Sequence, residues 1–296
     1  MAATILVLGK SGQAARELDK LGAPPGFALA FAGRERFDLL AGTSPGPLLA
    51  EVNPAAVINA SGYTAVDKAE SEPEAAYALN RDAPGAWARA CAEARIPFVH
   101  FSTDYVFDGQ KPEPYVETDP VGPTGVYGAS KAAGEAEVLA AGGPAIVLRT
   151  SWAYSAFGAN FVKTMLRLAE AREEVAVVAD QQGRPTWAED CARGALRSVR
   201  ALLDGEISGA ELFHLAGEGD ATWAGFATAI FEQSRSRGGP SALVKPIATA
   251  DYPTAARRPA NSRLDCAKIV RTLDFPMRPW RESLAACFEE LESVSR

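Results

Sequence analysis

Short apolar runs recur along the first half of the chain and alternate with longer stretches in which apolar positions follow a helical spacing. The runs of strand length cover residues 4–8, 27–31, 55–59, 97–102 and 145–149. Helical patterns lie between them, notably at residues 75–94 and 128–139. Apolar strands without alternation are typical of sheets buried on both faces, and strand–helix alternation is typical of parallel sheets. The pattern therefore predicts an α/β fold with a Rossmann-like, doubly wound parallel sheet.

The pattern becomes less regular after residue 150. It predicts helices at residues 160–171, 189–203, 223–235 and 279–292, and short strands at residues 175–178 and 211–215. We expect a Rossmann domain over residues 1–150 and a smaller C-terminal α/β domain over residues 151–296. Some later segments are free to return to the first domain.

Composition and charge exclude several classes of function. The chain has 296 residues and 47% hydrophobic residues, enough for a large core. The net charge is -7 and the basic residues are scattered, so nucleic acid is not an expected partner. No apolar run is long enough to span a membrane, and the N-terminus lacks the pattern of an export signal. We expect a cytoplasmic protein without a membrane partner.

The cysteines and histidines do not suggest a metal site. Cysteines lie at widely separated positions without CxxC spacing, which favours buried thiols over zinc ligands or disulfides. They are Cys91, Cys191, Cys266 and Cys287. His100 and His214 lie in apolar, strand-like runs and are expected to be hydrogen-bonded core residues. We assign no metal.

A glycine turn connects the first predicted strand to the first helix. Gly9 and Gly12 form a GxxGxxA pattern with Ala15. In this position, glycines let backbone N–H groups and the helix N-terminus approach a pyrophosphate. The first domain is therefore expected to bind a dinucleotide, and the second to bind mainly the substrate.

The end of the second strand bears on which dinucleotide binds. The segment AGRERFDLL places Arg34 where an NAD site usually has an acidic residue. Arg34 therefore favours NADPH, with NADH as the alternative, and Asp38 is placed to approach the adenine. The alternative is that both residues are solvated charges at a strand end.

Polar residues follow the third and fourth strands, and the carboxyl ends of parallel strands meet at one edge of the sheet. The third strand continues into INASGYT and the fourth into FVHFSTDYVFDG. The residues expected to line the crevice there are Ser61, Gly62, Tyr63, Thr64, Phe101, Ser102, Thr103 and Asp104.

Tyr127 and Lys131 are one helical turn apart in VYGASKAAGEAE. An ammonium beside a phenol favours the phenolate, so Lys131 is expected to lower the pKa of Tyr127 and make it a general acid. The spacing by itself also fits a surface helix with an ordinary aromatic residue.

Taken together, GxxGxxA, NASGYTAVDKAE, STDYVFDG and the Tyr127–Lys131 pair resemble the extended short-chain dehydrogenase/reductase family. Further motifs, AVDKAESEPE, RTSWAY, NFVKTMLRLA, DQQGRPT and RRPANSRLD, extend the resemblance over nearly the whole chain. They resemble the subgroup that reduces the 4-keto group of dTDP-4-dehydro-6-deoxy-L-mannose to dTDP-L-rhamnose. The resemblance thus implies a nicotinamide-dependent oxidoreductase acting on a nucleotide sugar.

The resemblance also implies roles for individual residues. Tyr127 would donate the proton, Lys131 would bind the nicotinamide ribose, and Thr103 would bind the reacting oxygen. The expected cofactor-binding residues are Gly9, Ser11, Gly12, Gln13, Ala14, Arg34, Asp38, Leu39, Gly62, Tyr63, Thr64, Phe101, Tyr127 and Lys131. The expected substrate-binding residues are Thr103, Asp104, Trp152, Arg258 and Asn261.

A diphosphate on an acidic protein requires local cations, and Arg257, Arg258 and Arg263 are the candidates. The alternative is a basic surface loop.

The chain departs from the family at Ala15, where glycine is common. Some members of the family dimerise through a magnesium ion that is held in part by an acidic residue at the position of Glu17. The resemblance is therefore compatible with a homodimer.

Two other functions fit the sequence. One is a reductase or epimerase of another nucleotide-linked keto sugar. The other is a non-catalytic, NADP-binding regulatory subunit. The combination of Thr103, Tyr127 and Lys131 favours catalysis, because a binding module has no need of a general acid.

Overall fold

The structure is a computed structural model that describes residues 2–39 and 43–294. Within these residues, six parallel strands form the central sheet in the order β2-β1-β3-β4-β5-β10. These strands are β1 (Ala3–Leu8), β2 (Phe27–Ala32), β3 (Ala56–Asn59), β4 (Phe98–Thr103), β5 (Ala145–Thr150) and β10 (Ala210–His214). Shorter strands lie outside the sheet: β6 (Ala153–Tyr154), β7 (Glu174–Val178), β8 (Gln182–Gly183), β9 (Thr186–Trp187), β11 (Ala221–Thr222) and β12 (Leu243–Ile247).

Helices cover both faces of the sheet and build the second half. They are α1 (Gln13–Leu21), α2 (Gly46–Val52), α3 (Val66–Ala69), α4 (Pro73–Tyr77), α5 (Ala83–Ala94), α6 (Val126–Ala140), α7 (Phe161–Ala169), α8 (Ala188–Leu203), α9 (Trp223–Ser236), α10 (Ala267–Leu273) and α11 (Trp280–Val294). Single 3-10 turns occur at Asp104–Val106 and Thr249–Asp251.

The predicted helix over residues 75–94 is divided in the structure. A π-helical turn, Ala78–Asp82, joins α4 to α5. Pro84 has no N–H to donate to the carbonyl of Asn80 one turn earlier, so the regular ladder cannot continue there. Gly134 of α6 packs directly against that carbonyl, where a Cβ would clash.

Alternate residues of the strands face opposite layers. Ile5 and Val7 of β1 pack with α1, α8 and α10, whereas Leu6 and Leu8 pack with α2, α5 and α6. Both faces of the sheet are thus covered, and the predicted doubly wound parallel sheet is confirmed.

The second half contains a separate core between α7, α9, α11 and the parallel pair β7–β12. Two elements that follow residue 150 nevertheless pack in the first layer: α8 lies against α1, and β10 pairs with β5. Lys20 of α1 forms ion pairs with Glu17, Glu189 and Glu290 at 2.6–2.7 Å, which tie α1 to α8 and α11.

The sheet order reverses between β1 and β3. In doubly wound sheets this switch point leaves a crevice at the carboxyl ends of the strands, where ligands bind. His100 and His214 are buried and hydrogen-bonded, as predicted, and all four cysteines are buried free thiols. Of the helices described, none combines the length and apolar character that crossing a membrane requires.

Candidate active site

A cleft of about 1100 Å³ opens at the switch point of the sheet. It is lined by residues that follow β1, β2, β3 and β4, together with α6 and the segment after β5. The sequence-predicted residues that line it are Gly9, Ser11, Gly12, Gln13, Ala14, Arg34, Asp38, Leu39, Ser61, Gly62, Tyr63, Thr64, Phe101, Ser102, Thr103, Asp104, Tyr127, Lys131 and Trp152. One concave surface therefore combines the glycine turn with the candidate acid and its neighbours.

The glycine turn fits a dinucleotide. Gly9 has φ +104°, and a Cβ there would lie 3.3 Å from the carbonyl oxygen of Ala60. Gly12 precedes α1 in an extended conformation, and Gly12, Gln13 and Ala14 place the N-terminus of the helix at the cleft. The buried Oε1 of Gln13 has no hydrogen-bond partner within the described chain. The turn and the helix N-terminus suit a pyrophosphate held by backbone N–H groups, whereas the Gln13 Oε1 can only accept, for example from a ribose hydroxyl.

Two cations lie at the end of the cleft formed by β1 and β2. Arg34, which was predicted to bind the cofactor, lines this end of the cleft, and so does Lys10. Lys10 lies 3.7 Å from Glu35 in an exposed ion pair. Lys10 was not predicted, although its place inside the glycine turn is a signal that could have identified it.

Asn80, in the π-helical turn, holds the segment after β3. Its Oδ1 accepts from the N–H of Tyr63 at 2.8 Å, and its Nδ2 donates to the Tyr63 carbonyl at 3.1 Å and to Ser130 Oγ at 3.0 Å. Asn80 is buried and was not predicted from sequence. It fixes the cofactor-facing segment to the helix that carries Tyr127 and Lys131.

Lys131 lies in the wall between β4 and the cleft and is only 5% exposed. Its Nζ donates to the Phe101 carbonyl at 2.5 Å and lies 3.4 Å from Nε2 of His100. Burial lowers the pKa of Lys131 to about 8, and the negative charge of Glu135 partly opposes that shift.

The expectation of a lowered pKa for Tyr127 is wrong for this structure. Burial raises the pKa of the Tyr127 phenol to about 12, and a hydrogen bond with Thr103 only partly opposes it. Burial of the phenol thus outweighs any effect of the Lys131 charge, and the Lys131 Nζ lies against the Phe101 carbonyl and His100. Tyr127 therefore keeps its proton at neutral pH, which is the form a proton donor needs.

Asp104 is a buried carboxyl beside the candidate acid. It is 2% exposed, and Thr103 Oγ1 donates to its Oδ1 at 2.9 Å. Oδ2 is buried without a hydrogen-bond partner in the part of the chain that the structure describes. Burial raises the pKa of Asp104 to about 6, although hydrogen bonds from neighbouring hydroxyls oppose the shift. An unpaired buried oxygen of this kind can accept a ligand hydroxyl.

An aromatic pair lines the same cleft. Trp152 stacks on Trp223 with ring centroids 3.6 Å apart, and its Nε1 donates to Ser262 Oγ at 3.1 Å. Trp152 has φ +48°, and Gly183 packs so closely on its ring that a Cβ would clash. Trp223 also lines the cleft but was not predicted, because it begins a helix far away in the sequence.

The structure does not bring the predicted arginines and Asn261 into the cleft. Arg258 pairs with Asp67 at 2.7 Å, and its guanidinium lies 5.9 Å from the ring centre of Tyr105, which itself lines the cleft. Asn261 donates to the carbonyls of Lys111 and Glu113, so it holds a loop. Arg257 is exposed, and Arg263 pairs with Asp220. Arg258 and Arg263 are held by ion pairs and Asn261 by backbone contacts, but the Nη1 of Arg258 is buried without a hydrogen-bond partner among the described residues.

Comparisons with known proteins agree with this geometry. Residues 3–293 match the family model described as RmlD substrate binding domain. A dTDP-4-dehydrorhamnose reductase of Sinorhizobium fredii is 46% identical over 280 residues, covering 94% of each chain. One from Escherichia coli K12 is 41% identical over 296 residues, covering 97% of each. The crystal structure of a Bacillus anthracis dTDP-4-dehydrorhamnose reductase in complex with NADP is 33% identical, with a TM-score of 0.89 over 98% of this chain and 100% of that one. The chain belongs to the RmlD substrate-binding domain family.

Proposed function

We propose that this chain reduces the 4-keto group of dTDP-4-dehydro-6-deoxy-L-mannose to dTDP-L-rhamnose, with NADPH as hydride donor and NADH as an alternative. The observation that carries the proposal is one cleft in which Tyr127, Lys131, Thr103 and Asp104 meet the glycine turn. Relatives with the matching reductase name, aligned over nearly the full length, support the substrate. The chain is a nicotinamide-dependent oxidoreductase.

The cofactor-binding residues follow from the geometry of the cleft. Gly9, Gly12 and Gln13 would hold the pyrophosphate, and Lys131 would hold the nicotinamide ribose. Lys10 and Arg34 are the cations placed for a 2′-phosphate, which supports the preference for NADPH. When bound, the nicotinamide supplies the hydride that the protein side chains cannot supply.

Proton transfer is assigned to Tyr127. Its raised pKa keeps the hydroxyl protonated at neutral pH, so the proton is present when the sugar carbonyl oxygen gains negative charge. Thr103 would donate a hydrogen bond to the same oxygen once its hydroxyl turns away from Asp104 Oδ1. The ammonium of Lys131 would then stabilise the Tyr127 phenolate, and with a pKa of about 8 that ammonium predominates at pH 7.

The sugar nucleotide would lie between Asp104 and the aromatic wall. The unpaired Oδ2 of Asp104 would accept a sugar hydroxyl, and the stacked indoles of Trp152 and Trp223 offer a flat apolar face. Nη2 of Arg258 pairs with Asp67, and its unpartnered Nη1 would be the atom that donates to the diphosphate. For Asn261 we propose a structural role in place of substrate contact.

We further propose that residues 1–150 form the dinucleotide-binding domain and that residues 151–296 bind mainly the substrate. The Trp152–Trp223 wall, which the second core supplies, supports this division. A cytoplasmic location and a homodimer are proposed on the resemblance; sedimentation of the purified protein would test the homodimer.

The test is a reaction with purified protein, NADPH and enzymatically prepared keto sugar, followed by NMR assignment of the configuration at C4 of the product. We expect NADPH consumption that depends on the keto sugar and a product with the L-rhamno configuration. A different configuration would favour another sugar reductase or an epimerase. Binding of NADPH without turnover would favour a regulatory subunit.

A further inference from the structure

A buried hydrogen-bond chain leads from the cleft to the back of Lys131. The amide of Asn59 lies between Ser61 and His100, and His100 lies between Asn59 and Lys131. Asn59, the last residue of β3, and His100, inside β4, are fully buried and lie opposite each other in the sheet. Neither residue has a role in the function proposed above.

Hydrogen bonds fix the orientation of the Asn59 amide. The backbone N–H of Ser61, which can only donate, lies 3.1 Å from Oδ1 of Asn59, and Ser61 Oγ lies 2.5 Å from the same oxygen. The amide Nδ2 is therefore turned to Nδ1 of His100, 3.1 Å away. An amide nitrogen only donates, so Nδ1 must accept and the neutral ring carries its proton on Nε2.

This tautomer places one donor opposite another. The Nε2–H of His100 faces Nζ of Lys131 at 3.4 Å, and an ammonium also has only donors. The ring is neutral, because burial and the charge of Lys131 hold the pKa of His100 well below its usual value. The groups facing Lys131 are thus His100 and the Phe101 carbonyl on β4, and Glu135 on its own helix.

We propose that Asn59 and His100 act as positioning residues that deny Lys131 an acceptor behind it and so direct its remaining protons into the cleft. There the protons are available to Tyr127 and to a cofactor ribose. The inference rests on the proposed function for its effect on rate, but the tautomer itself is a property of the protein alone.

Asn59→Asp should reverse the tautomer of His100 while changing the shape of the side chain very little. A carboxylate at residue 59 can still accept from Ser61, but it can only accept from His100, so the ring proton moves to Nδ1. Nε2 then becomes an acceptor for the Lys131 ammonium. Ser61→Ala is the matched control, because it keeps the backbone N–H that orients Asn59 and should leave the tautomer unchanged.

Nitrogen NMR of ¹⁵N-histidine protein without ligands reads the tautomers directly. His214 serves as an internal reference, since its Nδ1 lies 3.1 Å from the Tyr115 carbonyl, which requires a proton on Nδ1. We expect one ring of each tautomer in the wild type and in Ser61→Ala, and two Nδ1–H rings in Asn59→Asp. A wild type in which both rings carry the proton on Nδ1 overturns the inference, whatever the catalytic activity proves to be.

The pH profile of kcat/KM gives the second readout. In Asn59→Asp, diverting one ammonium proton should lower the rate at neutral pH about tenfold, the effect of one hydrogen bond to a charged group. Stronger proton binding by Lys131 should also move the alkaline limb up by about one pH unit. If kcat/KM falls equally at every pH and the alkaline limb of the profile does not move, the role of Asn59 is purely structural. That result would overturn the proposal.

Discussion

The indole rings of Trp152 and Trp223, which line the same cleft as the candidate acid, stack with centroids 3.6 Å apart and planes 10° from parallel. Phe161 supports Trp223 from behind, with ring centroids 4.6 Å apart. The two tryptophans come from segments about seventy residues apart, and the left-handed backbone of Trp152 holds one of them in place. The site therefore depends on packing between the two halves of the chain.

Trp223→Ala should remove the support of this wall and weaken sugar-nucleotide binding. Losing a stacked aromatic face costs about 1 kcal/mol beyond its buried area, so KM for the sugar nucleotide should rise about tenfold or more. The dissociation constant for NADPH, measured by fluorescence titration, should stay within about twofold. Trp223→Phe keeps an aromatic face and should lose much less. An equal loss of affinity for both ligands would contradict this assignment.

Tyr127→Phe should lower kcat by about 10²- to 10⁴-fold, because the general acid is removed. Binding of NADPH should persist, since the ring and its packing on Tyr105 remain. Tyr252→Phe, at an exposed tyrosine, controls for loss of any phenol. Initial rates and a cofactor titration give both quantities. Full activity in Tyr127→Phe would exclude this residue as the proton donor.

Asp104→Asn should raise the stability of the protein and lower its catalytic activity. In the folded chain Asp104 keeps its proton up to about pH 6, against 3.8 for the ordinary group. The folded state therefore binds more protons between these pH values, and stability falls as the pH rises through that window. At pH 7 the substitution should raise the free energy of unfolding by about 3 kcal/mol.

The gain from Asp104→Asn should shrink at about pH 4, where the folded carboxyl is protonated. Urea unfolding at the two pH values measures the difference. The same variant should lose at least about tenfold in kcat/KM if Oδ2 binds a sugar hydroxyl. A variant that is less stable at neutral pH and equally active would contradict both parts of this assignment.

Gly9→Ala should weaken dinucleotide binding at least about tenfold. The residue combines φ +104° with a carbonyl 3.3 Å from the new Cβ, so the turn must move where the pyrophosphate would lie. Gly26→Ala is the matched control, since φ is +85° but nothing lies within 4 Å. Both variants should lose stability, and only Gly9→Ala should lose NADPH affinity in calorimetry. Equal affinity in the two would remove Gly9 from the cofactor site.

Local patterns were sufficient to predict most elements of the sheet. The apolar run predicted at residues 27–31 is the strand Phe27–Ala32, and the helix predicted at residues 128–139 is Val126–Ala140. Strand Leu243–Ile247 was missed, because it is partly exposed, contains Pro246 and, among the described strands, pairs with β7 alone. Its pairing is a tertiary contact that no local period reveals.

The residues of the site likewise divide into those that local sequence patterns predict and those that tertiary contacts bring in. Residues beside strand ends, such as Thr103 and Asp104, were placed correctly in the cleft because parallel strands align their carboxyl ends. Trp223 and Asn80 were missed since distant segments bring them to the site. The direction of the Tyr127 pKa shift was also wrong: spacing indicated a nearby ammonium, but burial of the phenol dominates and depends on the whole fold.

The most direct measurement is a structure of the Tyr127→Phe variant with NADP and the keto sugar bound, compared with the wild type bound to NADP and dTDP-L-rhamnose. We expect Tyr127 Oη and Thr103 Oγ1 both to lie within about 3.2 Å of the sugar O4 in the wild type. The sugar should take the same position in the variant. A sugar whose O4 lies beyond reach of Tyr127 and beside another proton donor would show that Tyr127 is not the proton donor.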